Sequence, residues 1–115
     1  MKLNTKQKIV TVTHRDLGLT SSEACSFDVK IMSLQDSLEF SSQQEMAKDD
    51  VKKSSKVMKD MFVSTVTAWS GIEDGDGNDL ECSAENKALV FEFDTDSAIA
   101  ILDAASKKAE STKKK

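Results

Sequence analysis

Asp74, Asp76 and Asn78 stand at alternate positions, and Glu85 falls twelfth when Asp74 is counted first. Oxygen ligands enter a helix–loop–helix calcium site in that order, because a hard cation needs carboxylates and carbonyls converging from one tight loop. The rest of the spacing breaks the site. Its sixth position, where the loop requires glycine, is Asp79, and its eighth, normally apolar, is Glu81. Moving the frame to make Gly77 sixth puts Ile72 first, where no ligand oxygen is available from the side chain. Asp74-Gly75 and Asp76-Gly77 are instead the pairs that a tight turn selects. We expect a turn here and no metal.

Other constellations are no stronger. His14 is the single imidazole and lies beside Arg15 in a polar stretch, with no Ser or Cys tied to it by a motif. Asp49 and Asp50 are adjacent, which on a helix points them to different sides, so they do not share a proton. There is no glycine-rich phosphate loop and no dinucleotide fingerprint. Cys25 and Cys82 lie far apart, and with His14 they are too few for a zinc site. In a reducing compartment they read as buried thiols acting as small hydrophobes. The expectation is a protein that is not an enzyme and holds no cofactor.

What the chain must position, then, is apolar surface. Val51, Ser55, Met58, Phe62, Val66 and Trp69 fall three or four residues apart, the spacing of one helix face. With Lys48, Lys52, Lys53, Lys56 and Lys59 interleaved with Asp49, Asp50 and Asp60 as a solvated face, this reads as a long helix from about Gln44 to Ala68. Methionines adapt to irregular partners, so Met58, Met61, Phe62 and Trp69 are candidate partner-binding residues. The plainer reading of Trp69 is a core anchor that continues the stripe.

Upstream, Lys8 to Thr13 is short and β-branched, and Cys25, Phe27, Val29 and Ile31 alternate with polar residues. Two antiparallel strands joined by the polar stretch from His14 to Glu23 are the simplest arrangement. Ser33-Leu34-Gln35-Asp36 opens like a capped helix, which Ser41-Ser42-Gln43-Gln44 is expected to end. Downstream, the helical period stops at Trp69-Ser70-Gly71. The acidic turn follows, with Gly71, Asp74, Gly77 and Asn78 as its turn-forming positions. Ser83 then caps a helix from Ala84 to about Phe91, although Leu89 to Phe93 would also suit an extended segment. Asp94-Thr95-Asp96-Ser97 restarts the chain as a last helix carrying Ala98, Ile101, Leu102 and Ala105 on one face.

The fold class is therefore α+β: an N-terminal two-stranded β element packed on three to four α-helices, the long one central. Phe27, Val29, Ile31, Val51, Met58, Phe62, Val66, Trp69, Leu89, Ile101 and Leu102 are the expected core.

At 115 residues, with 38% apolar and 31% charged, the chain suits one domain, taken as residues 1–106, and a flexible Lys-rich tail at 107–115. Net charge is −4, and the tail holds five Lys against one Glu, so the folded part is distinctly acidic and a poor partner for nucleic acid. No run approaches the roughly 20 apolar residues of a membrane-spanning helix. The basic start has no apolar stretch behind it, and cytosolic is the default.

The run from Thr67 to Leu80, followed by Ser83-Ala84-Glu85-Asn86-Lys87-Ala88-Leu89, resembles small tail proteins of long-tailed bacteriophages, the tail assembly chaperones above all. Trp69, Gly71, Ile72, Asp74, Gly77, Leu80, Ser83, Glu85 and Asn86 carry the resemblance, which covers roughly residues 60–105. It implies a non-enzymatic chaperone in the cytoplasm of the infected bacterial host, binding the tape measure protein, recruiting tail tube protein and able to form a homo-oligomer. The alternative it implies is a structural tail or head–tail connector subunit retained in the virion.

Overall fold

The computed structural model describes Met1, residues 8–20, Ser22 and residues 24–113, with side chains as far as Ala109. Seven elements follow in order: β1 (Ile9–Thr13), β2 (Ser26–Lys30), α1 (Leu34–Ala47), α2 (Val51–Thr65), β3 (Val66–Ser70), α3 (Ala84–Phe93) and α4 (Thr95–Lys113). The fold is α+β, and the sheet has a third strand beyond the expected pair, in the antiparallel order β1-β2-β3.

Period-two alternation decides the faces. Val10 lies opposite Val29, and Val12 opposite Phe27; all four are buried. Thr11 and Asp28, paired on the other face, hydrogen-bond at 2.9 Å where water reaches. The inner face packs on Phe62 of α2, Phe91 of α3, and Ala98, Ile101 and Ala105 of α4. Alanines spaced at seven along α4, with Ile101 between, let that helix lie close against the sheet. Sheet and helices thus form two layers around one core.

The expected long helix from Gln44 to Ala68 is corrected at both ends. Its first part belongs to α1, which runs straight through Ser41-Ser42-Gln43-Gln44. Those polar side chains suit a helix that has few neighbours, and Gln44 accepts a hydrogen bond from Ser54 of α2 at 2.9 Å. The real break is at Lys48–Asp50, where the Asp50 carboxylate accepts from the N–H groups of Lys52 and Lys53 and caps α2. At the other end α2 stops at Thr65 and the chain becomes β3. The run Val63-Ser64-Thr65-Val66-Thr67, β-branched at every position but Ser64, favours that switch. The half-buried Lys87 amine completes it by donating to the carbonyls of Val63 at 2.9 Å and Val66 at 2.8 Å, groups that a helix end leaves without partners.

Two expected core residues lie on the surface: Val51 is 85% exposed and Leu89 43%. Val51 is the first residue of α2 and stands at its exposed end, and Leu89 points from α3 into the cleft described below. At the C-terminus α4 passes the expected boundary at residue 106. Ala109 is buried, and the helix continues to Lys113; Lys114 and Lys115 lie outside the described residues.

Candidate binding cleft

The acidic turn folds as a small hairpin. The Ile72 carbonyl accepts from the Leu80 N–H at 2.8 Å, and Glu73 bridges Asp79. At its tip Asp74 Oδ1 accepts from the N–H groups of Asp76 at 2.9 Å and Asn78 at 3.0 Å, while Gly77 takes the positive φ of +84° that its position requires. The Asp74 carboxylate is thus a structural acceptor for the turn. Among the described residues no group of three or more His, Cys, Asp or Glu could hold a metal.

The hairpin matters for where it sets Ile72 and Leu80. Gly71, at φ +73°, turns the chain sharply out of β3 against the backbone of Ala24 and Cys25. Trp69 then donates from Nε1 to the Leu80 carbonyl at 2.7 Å, which ties the hairpin to the sheet. Its ring meets Phe27 edge to face, with centroids 6.2 Å apart and planes at 82°.

Between this floor, the β1–β2 loop and α3 lies an open cleft of about 590 Å³. Leu17 and Leu19 close one side, and Leu89, Val90 and Phe93 the other. Phe93 is 84% exposed at its mouth. Among the described residues, Glu73, Asp74 and Asp94 are the charged ones of the lining, with neither Lys nor Arg. Just behind, burial pushes the Cys82 thiol up, against the pull of the Lys87 ammonium and of a hydrogen bond with the Trp69 backbone. A thiol raised in this way stays protonated at neutral pH and is a poor nucleophile.

Met58, Met61, Phe62 and Trp69 do not form the single partner-binding face expected of them. Phe62 is fully buried, its ring tilted 46° from that of Phe91 with centroids 6.1 Å apart. Met58 and Met61 are half-buried and line a groove between α1 and α2, with Met32 and Phe40. Trp69 lines the cleft, which shares no residue with that groove. The physical reason is the change from helix to strand at Thr65, which takes Trp69 off the α2 stripe. Gly71, Asp74, Gly77 and Asn78 do form the turn. Leu17, Leu19, Leu80 and Phe93 were missed as site residues; only Leu80 had a local signal, its placement opposite Ile72 about an Asp-Gly turn, as a hairpin would place it.

Compared with protein-family models, with curated proteins and with solved structures, the chain matches none. No helix among the described residues is long and apolar enough to cross a membrane.

Proposed function

We propose that this chain is a non-enzymatic assembly chaperone of a long-tailed bacteriophage. In this reading it works in the cytoplasm of the infected host, covers an apolar segment of the tape measure protein and helps bring tail tube subunits to it. The observation that supports a binding role is the cleft. A folded chain that leaves Phe93 84% exposed beside an open apolar hollow has surface to offer a partner. The tape measure protein enters by resemblance alone. Four of the residues that carry the resemblance, Trp69, Ile72, Asp74 and Leu80, line that hollow.

The test is co-expression of the intact chain with overlapping tape measure fragments. Fragments that precipitate alone are expected to stay in solution with the wild type and to precipitate with Phe93→Ser. No fragment held in solution by the wild type would remove the reading. Stoichiometric copies of the protein in finished particles would replace it with a structural subunit of the virion.

A further inference from the structure

We infer that the cleft takes one face of an amphipathic helix whose apolar anchors are flanked by lysine or arginine. The inference rests on the binding role just proposed and adds the chemistry of the occupant.

The size comes first. A hollow of about 590 Å³ accommodates a few large side chains and not a folded surface, which suits anchors presented at successive turns of a helix. Charge comes second. Glu73, Asp74 and Asp94 lie in the lining, which holds no Lys or Arg among the described residues, and Asp76 and Asp96 are exposed close by in the chain. Their joint field repels an apolar segment flanked by carboxylates and attracts one flanked by ammonium or guanidinium groups. Lysine and arginine stems would also cover the apolar rim while their heads meet the acids.

The sheet argues against an extended occupant. Strand addition needs a free edge, and each edge here already has backbone groups bonded to side chains. Lys108 donates to the Thr11 carbonyl of β1 at 2.6 Å, beside Asp16 on the Thr13 N–H. On β3, Lys87 holds the Val66 carbonyl and the Cys82 thiol bonds the Trp69 backbone. The first half of α1 from a second copy is also a poor occupant. Leu34 is 76% and Leu38 60% exposed there, and Asp36 and Glu39 flank them. That is the wrong sign for an acidic cleft.

Trp69 is the only Trp and lines the cleft, so its emission reports occupancy directly. The experiment titrates the full chain with two synthetic helical peptides that lack Trp and share one leucine pattern, the first filled out with lysine and the second with glutamate. The leucine–lysine peptide is expected to shift Trp69 emission saturably, and the leucine–glutamate peptide to leave it unchanged at tenfold higher concentration. Phe93→Ser should raise Kd at least tenfold, and Glu73→Gln with Asp94→Asn should raise it severalfold. Leu38→Ser on α1 should not move it. Phe93 and Leu38 are both exposed, so neither change reaches the core.

Equal response to the two peptides, no response to either, or a Kd as sensitive to Leu38→Ser as to Phe93→Ser would each overturn the inference. Failure of co-expression with peptide binding intact would remove the tape measure reading and leave the cleft assignment standing. Co-expression that succeeds equally with Phe93→Ser, with no peptide response, would do the reverse.

Discussion

Asp16 and Lys108, 92 positions apart in the chain, meet at 2.8 Å beside the outer edge of β1. The same carboxylate accepts the Thr13 N–H at 2.9 Å, so one ion pair ties the β1–β2 loop and α4 to a strand edge. The hydrogen bond from Lys108, then that from the Thr13 backbone, holds the Asp16 carboxyl below its ordinary value against a small penalty from burial. A carboxyl lowered in the folded state contributes stability that is complete above its unfolded value, about 3.9, and is lost as pH falls through the lower folded value. Asp16→Asn should therefore lower the thermal midpoint at pH 7, with the deficit shrinking as pH falls below the ordinary carboxylate range. Because Asp16 is 31% and Lys108 42% exposed, the effect should be small, about 0.2–1 kcal/mol. A deficit that stays constant down to strong acid would mean lost packing and not lost charge.

Gly71 and Gly77 share a positive φ, +73° and +84°, yet their surroundings differ. A Cβ on Gly71 would run into the Ala24 carbonyl oxygen, whereas one on Gly77 meets nothing nearer than Glu73 Oε2 at 3.9 Å. Gly77→Ala should cost about 1 kcal/mol, the backbone strain alone. Gly71→Ala should cost about 2 kcal/mol or more, since the sheet must also shift. Urea titration of both variants checks the order, and equal losses would show that the turn out of β3 can relax.

Lys87→Met keeps the length of the side chain and removes its donors. The carbonyls of Val63 and Val66 then lose their partner at the helix–strand junction, at a cost of about 1.5–3 kcal/mol for charge-assisted bonds. Hydrogen exchange should quicken first at the end of α2 and the start of β3. A loss below about 0.5 kcal/mol would mean that water takes over both carbonyls.

Phe62→Ala empties the centre of the core and should cost about 3–5 kcal/mol. Val51→Ala, at an exposed position in the same helix, should stay within about 0.5 kcal/mol. Denaturant midpoints would show the contrast, and a large loss at Val51 would show that its side chain is packed.

The alternation of Phe27 and Val29, the caps at Ser33 and Ser83, and the Asp-Gly turn were legible because each is a local choice with a local cause. The strand β3 was not, and its bulge explains why. Asp28 pairs with Ala68 but Val29 with Val66, so Thr67 is an extra residue. The insertion puts inward-facing Val66 and Trp69 three apart instead of two or four. Three is also a helical spacing, and the strand therefore continued the stripe of Met58 and Phe62. The cleft could not be read for a different reason. Leu17, Trp69, Leu80 and Phe93 come from four separate segments, and only the tertiary fold makes them neighbours.

Between β2 and β3 the chain makes two helices, so Ser26 meets Ser70 across 44 positions while β1 and β2 close as a neighbouring pair. Loop closure of that length is a late and comparatively slow step in folding. It also has an order in time. As the polypeptide leaves the ribosome, β1, β2, α1 and α2 emerge before β3 can dock. The cleft wall then waits for α3 and its floor for Ile101. The lining of the cleft, which begins at Leu17, is therefore complete only once the chain has been made as far as Ile101.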